Sequence, residues 1–170
     1  TFFMVGDWVK KYPEAAKKIK DAGHEIGTHS NTHPHVNNLD YEKNASELRE
    51  SAKIIKETTG TDVKLYRTPY GEYNDTVIKV ANENGYIPIQ WSLDTLDYTK
   101  LTGEQMWDRL KNKLTSGDII LMHNGTEHTA DSLDMIIKNI KNTGFDVVRV
   151  SDIIYTENYT IDVNGVQKKN

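Results

Sequence analysis

The chain alternates between short apolar runs and amphipathic helical stretches, and this alternation constrains its fold more than any other feature. Five helical stretches are followed by a glycine placed to end a helix in the left-handed conformation, and then by another apolar run. The strand-like runs are residues 1–5, 24–28, 63–67, 86–91, 118–122 and 146–150, and the glycines are Gly23, Gly60, Gly85, Gly117 and Gly144. The pattern predicts an α/β fold with mainly parallel strands. Six such units favour an open or incomplete (β/α) barrel over a doubly wound sheet.

The helical stretches are recognised by apolar residues spaced three or four positions apart. The stripes are Ala45, Leu48, Ala52 and Ile55; then Met106, Leu110 and Leu114; then Leu133, Ile136, Ile137 and Ile140. Residues 102–105 read Thr-Gly-Glu-Gln, which is typical of a capping box at the start of a helix. No Gly-x-Gly-x-x-Gly motif follows the first strand-like run, so the sequence does not support dinucleotide binding.

Composition excludes several classes of function. The net charge of −4, with both signs interspersed, argues against nucleic acid as a partner. The apolar runs are too short to span a membrane, and the absence of cysteine excludes disulfides and thiolate ligands. We expect one domain over residues 1–156, followed by a polar C-terminal tail, residues 157–170, that wraps the surface or frays. Because the chain opens in a strand without Met, we expect a fragment or a processed product.

Two histidines four residues apart, His29 and His33, are the strongest candidates for metal ligands. Neutral imidazoles bind zinc and similar ions well, and this spacing lets two rings converge on one ion. The spacing alone favours two surface histidines in a polar loop over two ligands. The interpretation as ligands gains support from further polar motifs, each of which follows a strand-like run.

Those further motifs supply an arginine, two carboxylates and a third histidine. Arg67 closes one run, Asp94 and Asp97 follow another, and His123 follows residues 118–122. In a βα barrel, catalytic groups gather where the strands end. Their placement therefore predicts that the motifs contribute to one site.

Several alternatives remain open for these residues. Asp94 and Asp97 are both available as a third metal ligand. His123 is either a strand-end histidine bonded to the backbone or a general acid that a carboxylate, with Asp97 as the candidate, keeps protonated. Arg67 either clamps a carboxylate in the site or pairs with a surface acid. The Tyr70 amide suits an oxyanion donor, and its ring also suits packing over the barrel mouth.

Taken together, the motifs resemble the polysaccharide deacetylase family, the NodB-homology domain of carbohydrate esterase family 4. The matching patterns are His-Ser-x-x-His at residues 29–33, Arg-x-Pro-Tyr-Gly at 67–71, Asp-x-x-Asp-aromatic at 94–98 and Leu-x-His at 121–123. The resemblance covers nearly the whole chain, and the order of the motifs agrees with the family.

The resemblance implies a distorted, incomplete (β/α) barrel and one divalent metal, zinc in most cases and otherwise cobalt or nickel. It implies that an Asp and two His hold the metal, here with His29 and His33. His123 would protonate the departing amine with Asp97 tuning it, and Arg67 would orient a second Asp that acts as the base. The substrate-binding residues would be Tyr70, through its amide; Leu121, in the acetyl pocket; and Tyr98, beside the catalytic pair.

Two departures from the family pattern carry consequences. The first motif of the family, Thr-Phe-Asp-Asp-Gly, supplies the base and the metal-binding Asp, and residues 1–170 do not contain it. We expect that motif and its strand to lie upstream of Thr1. In addition, Tyr98 stands where the family has Trp, which changes the shape beside the pair of Asp97 and His123.

The sequence therefore predicts a metal-dependent hydrolase that removes N-acetyl groups from a polysaccharide such as peptidoglycan or a chitin-like oligomer. The partner is an N-acetylated polysaccharide, and the resemblance implies an extracellular or cell-wall location. Two alternatives remain: an acetylxylan-type O-deacetylase on the same scaffold, and an inactive carbohydrate- or metal-binding module that lacks the base. As it stands, the chain is expected to be an impaired enzyme.

Overall fold

The computed structural model describes residues 1–162 and 164–170 of the chain. They form two compact units, Thr1–Gln90 and Trp91–Asn170. The boundary falls between the histidine and arginine motifs on one side and the aspartate and Leu-x-His motifs on the other.

The first unit is built on a parallel sheet whose strands lie in the order in which they occur along the chain. The strands are β1 (Phe2–Met4), β2 (Ile26–Thr28), β3 (Leu65–Arg67) and β4 (Ile87–Ile89). Met4 lies opposite Thr28, and Thr28 lies opposite Tyr66. Because all four strands are parallel, their carboxyl ends meet at one edge of the sheet. His29 and Arg67 stand at that edge.

The helices of this unit are α1 (Gly6–Lys11), α2 (Pro13–Asp21), α3 (Tyr41–Thr59) and α4 (Asp75–Glu83). Helix α3 begins where the Asp40 side chain accepts a hydrogen bond from the Lys43 amide at 2.9 Å. It ends at Gly60, whose φ of 74° is left-handed and therefore favours glycine. Its buried face includes Leu48 and Ile55, which belong to two separate clusters of the core.

The second unit has a shorter parallel sheet, β5 (Leu93–Asp94) paired with β6 (Ile120–Leu121). Helices α5 (Gly103–Leu110) and α6 (Thr129–Asn142) supply its core, which is centred on Met106, Leu110, Ile136 and Ile140. The capping box that the sequence predicts is present, with Thr102 and Gln105 each bonding the backbone of the other. Strands β7 (Tyr159–Ile161) and β8 (Gln167–Lys169) form an antiparallel pair within the polar tail.

The expected α/β class with mainly parallel strands is confirmed, and the described residues form no closed barrel. The strand predicted at residues 146–150 is wrong. That segment is irregular until the 3₁₀ turn Val150–Asp152, and Val147 and Val148 are about half exposed, at 50% and 49%. Apolar residues favour a strand, but a strand forms only against a hydrogen-bonded neighbour.

Smaller differences concern the limits of elements. Strand β5 is a short strand that the sequence reading missed, so Asp94 lies in a strand and not after one. Helix α5 ends at Leu110, several residues before the predicted end at Gly117. Leu133, assigned to the apolar stripe of α6, is exposed, while Ile136 and Ile140 are buried as expected. No helix in the described part of the chain is both long and apolar enough to cross a bilayer.

Candidate active site

The loop after β2 carries the two histidines of the first motif. The His29 amide donates to the Met4 carbonyl at 2.9 Å, which continues the pairing of β1 and β2 by one residue. Ser30 and His33 both adopt left-handed backbone conformations, with φ of 67° and 61°. The loop therefore turns sharply on either side of Asn31 and Thr32. The centroids of the His29 and His33 rings lie 4.9 Å apart, with the ring planes at 74°.

The tautomer of His29 follows from its hydrogen bond to the backbone. Its Nδ1 lies 2.7 Å from the carbonyl oxygen of Arg67. Because a carbonyl oxygen only accepts, Nδ1 carries a proton, and in the neutral form of the ring the lone pair then lies on Nε2. Metal-binding histidines are commonly oriented in this way, with the second nitrogen bonded to a carbonyl or a carboxylate. His29 is nearly buried, so this orientation is held by its surroundings.

The loop packs closely against the start of α1. The Gly6 amide donates to the Ser30 carbonyl at 3.0 Å, and the Asp7 amide donates to the Asn31 carbonyl at 2.9 Å. A Cβ at Gly6 would collide with the side-chain oxygen of Asn31 and would lie 3.2 Å from the Ser51 backbone. Glycine at this position therefore permits the close approach that fixes the loop. The Asn31 side-chain oxygen is buried and accepts no hydrogen bond from the described residues.

The turn after β3 places Tyr70 against the histidine loop. Tyr70 has a φ of 58°, and its ring is 56% exposed. The ring meets His33 edge-on at a centroid distance of 4.6 Å and stacks on His35 at 4.2 Å. The Arg67 guanidinium lies 5.2 Å from the centre of the Phe3 ring, a cation–π contact across the sheet edge.

His35, the next histidine of the same loop, has a defined partner in the turn that follows β3. Its Nδ1 lies 2.7 Å from a carboxylate oxygen of Glu72, although more than half of its side chain is exposed. This hydrogen bond is the main reason why the pKa of Glu72 falls below its ordinary value. The pairing of His35 with Glu72 joins the histidine loop to the turn that follows β3.

In the second unit, the side chain of Asp97 is the partner of His123. The His123 Nδ1 lies 2.7 Å from one oxygen of Asp97. The other oxygen of Asp97 accepts from the His123 amide and, at 2.8 Å, from the Thr129 hydroxyl. Burial raises the pKa of Asp97, since the residue is only 1% exposed, but the hydrogen bonds from His123 and Thr129 outweigh burial and hold that pKa below its ordinary value. The pair therefore joins an ionised carboxylate to an imidazole.

Thr129 is a residue that sequence reasoning missed. It is buried at the first position of α6, and its hydroxyl also accepts a hydrogen bond from Thr126. Thr129 and Asp97 are separated by 32 residues along the chain, and no motif spacing links them. The sequence therefore did not point to Thr129. The only sequence signal is that it follows the Leu-x-His motif at the start of an amphipathic helix.

Asp94 has a structural contact that constrains its use as a metal ligand. One of its carboxylate oxygens accepts from the Leu96 amide at 2.7 Å, and Leu96 is left-handed, with a φ of 53°. The Asp94 carbonyl accepts from the Arg109 Nε at 2.9 Å. Asp94 thus shapes the turn that leads to Asp97. Within residues 1–162 and 164–170, no group of three or more His, Asp or Glu side chains is placed to hold a metal.

The remaining candidate residues of this unit lie beside His123. The Tyr98 ring meets the His123 ring edge-on, with centroids 5.5 Å apart, and is 57% exposed. Leu121 is buried in β6, and its carbonyl accepts from the Thr95 amide and hydroxyl. An exposed aromatic ring beside a histidine is suited to stacking on a sugar.

The sequence profile of the polysaccharide deacetylase family matches residues 1–89, which is just over half of the chain. The matched segment contains His29, His33, Arg67 and Tyr70 in the arrangement described above. This chain belongs to the polysaccharide deacetylase family.

Curated relatives of this chain extend the match beyond the profile. The chain is 34% identical over 154 residues to the uncharacterized protein YlxY of Bacillus subtilis, covering 91% of this chain and 48% of that protein. It is 32% identical over 159 residues to a peptidoglycan-N-acetylglucosamine deacetylase of Bacillus cereus, covering 91% of this chain and 74% of that enzyme. Both alignments are longer than the first unit, so they include much of the second. The chain thus spans about half the length of YlxY.

The similarity extends to a solved three-dimensional structure. The structure of a CE4 family pseudoenzyme from Bacillus anthracis superposes with a TM-score of 0.86 at 32% identity, covering 89% of this chain and 54% of that one. A mutant of that pseudoenzyme, with a TM-score of 0.86 and 33% identity, is described as having restored enzymatic activity. The chain is thus similar both to a named deacetylase and to a pseudoenzyme of the family.

Proposed function

We propose that this polysaccharide deacetylase domain is part of a metal-dependent hydrolase that removes N-acetyl groups from a polysaccharide such as peptidoglycan or chitin-like oligomers. The observation that carries the proposal is the contrast between its histidines. His29 is bonded to a carbonyl, which suits a neutral metal ligand, and His123 is bonded to a buried carboxylate, which suits a proton donor. The similarity to a named peptidoglycan-N-acetylglucosamine deacetylase supports the choice of polymer.

His29 and His33 are the proposed ligands of the metal, which we propose to be zinc, with cobalt or nickel as substitutes. Their rings are close enough to face one ion, and the tautomer of His29 leaves a lone pair on Nε2. Bound there, the metal would polarise the acetyl carbonyl and activate a water molecule. The third protein ligand and the base are those that the resemblance assigns to the Thr-Phe-Asp-Asp-Gly motif, which residues 1–170 do not contain.

His123 is the proposed general acid. Hydrolysis adds water to the amide carbonyl and breaks the C–N bond, so the departing nitrogen must gain a proton. A protonated His123 gives up that proton from Nε2, because Nδ1 is engaged by Asp97. The ionised Asp97 stabilises the imidazolium and fixes the ring. The products are acetate and a free amine on the sugar.

The remaining residues are proposed to orient the substrate and the base. Arg67 would orient the base, and its own carbonyl already orients His29. The Tyr70 amide would bind the developing oxyanion. Leu121 would line the acetyl pocket, and Tyr98 would contact the sugar beside His123. We also propose an extracellular or cell-wall location, since that is where such a polymer is found.

The second candidate is a catalytically inactive module that binds carbohydrate or metal. The specific observation in its favour is the similarity to a CE4 family pseudoenzyme. The pairing of His123 with Asp97 weighs against it, because binding alone requires neither a proton donor nor a buried carboxylate to hold one. An O-deacetylase that acts on acetylxylan is the remaining alternative on the same scaffold.

Acetate release distinguishes these candidates. The chain is assayed alone and joined to an upstream segment that carries Thr-Phe-Asp-Asp-Gly, on N-acetylglucosamine oligomers, peptidoglycan and acetylxylan. We expect the joined form to release acetate from the N-acetylated substrates, to lose this activity with a chelator and to regain it with zinc. A preference for acetylxylan would establish the O-deacetylase. Oligosaccharide binding without acetate release from any substrate would establish the binding module.

The coding sequence upstream of Thr1 provides an independent test. A Thr-Phe-Asp-Asp-Gly motif followed by a helix would supply the base and the third ligand in the natural protein. A natural protein without that motif would contradict the enzymatic proposal.

A further inference from the structure

The carboxylate of Glu47, on α3, reaches the centre of the histidine loop. One of its oxygens accepts from the backbone amides of Asn31 and Thr32, each at 2.8 Å, and the other accepts from the Thr32 hydroxyl at 2.9 Å. Glu47 lies 15 and 16 positions along the chain from these two residues. No motif contains it, and the roles discussed above do not involve it.

These contacts fall midway between the two proposed metal ligands. Asn31 and Thr32 separate Ser30 from His33, and both of those flanking residues have left-handed backbones. Such conformations are strained for residues other than glycine, and they persist only where the surroundings fix them. The contacts of Glu47 therefore fall on the segment whose backbone conformation depends most on its surroundings.

The opposite side of the same segment is held by the backbone of α1. The Asn31 peptide amide donates to Glu47, while the Asn31 carbonyl accepts from Asp7. Hydrogen bonds to an ionised carboxylate are stronger than those between neutral groups. Of the two supports, Glu47 is the one made by a side chain, and it can therefore be changed without altering the backbone.

We propose that Glu47 is a positioning residue that sets the His29 and His33 imidazoles in their metal-binding arrangement before the metal arrives. This inference rests on the proposed function, since it assigns Glu47 a role toward the same metal. A ligand pair that is held in place loses less conformational freedom on binding, so the held loop binds the metal more tightly. A role confined to the stability of α3 would leave the affinity for metal unchanged.

The test compares Glu47→Ala and Glu47→Gln with Glu50→Ala. Glu50 is an exposed residue of the same helix, so its replacement makes the same change in charge and helix propensity away from the loop. The zinc dissociation constant is measured by competition with a chelator on the chain joined to an upstream segment that carries Thr-Phe-Asp-Asp-Gly, because that form supplies the third proposed ligand. Hydrogen exchange of the Asn31 and Thr32 amides is measured in parallel without metal, and circular dichroism reports folding.

We expect Glu47→Ala to weaken zinc binding about 10- to 100-fold, as changes to the outer partners of a metal site do. The two amides should exchange faster in the same variant. Glu47→Gln, which keeps one acceptor oxygen, should fall between Glu47→Ala and the unaltered chain, and it decides the matter if Glu47→Ala does not fold. Glu50→Ala should match the unaltered chain in both measurements.

The outcomes separate this inference from the proposed function. If zinc binding requires His29 but is unchanged in both Glu47 variants, the inference about Glu47 is overturned and the metal site stands. If the joined form binds no zinc, or binds it equally well after His29→Ala, both are overturned.

Discussion

The two units use the same side chain in two different settings. In the first unit, the Nδ1 of His29 lies 2.7 Å from a backbone carbonyl, and in the second, the Nδ1 of His123 lies 2.7 Å from the carboxylate of Asp97. A carbonyl fixes a tautomer without adding a charge, whereas a carboxylate also stabilises the protonated ring. The atom that faces Nδ1 therefore distinguishes the proposed ligand from the proposed acid, although the distances are the same.

The two histidines also differ in how they are held. His29 is nearly buried, in a loop with left-handed residues that is fixed from both sides by the backbone of α1 and by Glu47. The His123 side chain is about a third exposed, and the buried group is its partner, Asp97. A ligand must keep its position, whereas an acid must also exchange its proton with water. The difference in exposure fits the two proposed roles.

The largest effect that we predict is the loss of zinc binding on removal of His29. His29→Ala should weaken zinc binding by more than about 100-fold, beyond the usual effect of losing an outer partner, because it removes a ligand. Zinc content after dialysis and a chelator competition assay measure the loss. His24→Ala is the control, since His24 is an exposed histidine outside the loop. Unchanged zinc content in His29→Ala would remove the basis for the ligand assignment.

Removal of His123 should affect the rate and leave the metal in place. In a form that carries the Thr-Phe-Asp-Asp-Gly motif, His123→Ala should lower the rate of acetate release by about 10²- to 10⁴-fold, which is the usual contribution of a general acid. Zinc content should equal that of the unaltered protein. His128→Ala, five residues further on, should alter neither quantity. Loss of zinc from His123→Ala would instead make His123 a ligand, and the contrast between the units would fail.

Neutralising Asp97 should lower stability in a way that depends on pH. Asp97→Asn should reduce the free energy of unfolding by about 1–3 kcal/mol at pH 7, because a buried carboxylate with three hydrogen-bond donors is replaced. Urea denaturation measures this difference. Asp134→Asn is the control, since Asp134 is an exposed residue of α6.

The sign of the pH dependence follows from the pKa of Asp97, which lies below its ordinary value of 3.8 in the folded protein. The ionised carboxylate therefore stabilises the fold above that ordinary value, and the stabilisation is lost as the pH falls through the lower, folded-state pKa. The difference in the free energy of unfolding between the unaltered protein and Asp97→Asn should become smaller below about pH 4. A difference in the free energy of unfolding that grows as the pH falls would contradict the hydrogen-bond network around Asp97.

The smallest expected effect is at Thr129. Thr129→Val keeps the shape of the side chain but removes one donor to Asp97, at a cost of about 1 kcal/mol in the free energy of unfolding. Thr126→Val should cost less, because the Thr126 hydroxyl reaches Asp97 only through Thr129. Chemical denaturation at pH 7 compares the two. Equal effects would show that Thr129 gives Asp97 no particular support.

The local part of the fold was predictable, and the non-local part was not. The predicted helix that carries Ala45, Leu48, Ala52 and Ile55 is present as Tyr41–Thr59, because its apolar stripe and the glycine that ends it, Gly60, lie within one segment. Residues 146–150 look as strand-like as residues 63–67, yet only the latter segment contains a strand. The difference is a hydrogen-bonded neighbour, which no local pattern can supply.

The same distinction between local and non-local features applies to the site. The sequence by itself determined which side chains follow the strands, because the alternation of apolar runs and helices is a local property: His29, His33, Arg67, Asp97 and His123 were all named from it. Only the tertiary structure decided that a carbonyl faces His29, that a carboxylate faces His123, and that Glu47 and Thr129 support the two groups. Those partners lie between 15 and 38 residues from the groups that they contact. Hydrogen bonds over such separations depend on how the chain packs, and packing is not encoded in any single stretch of sequence.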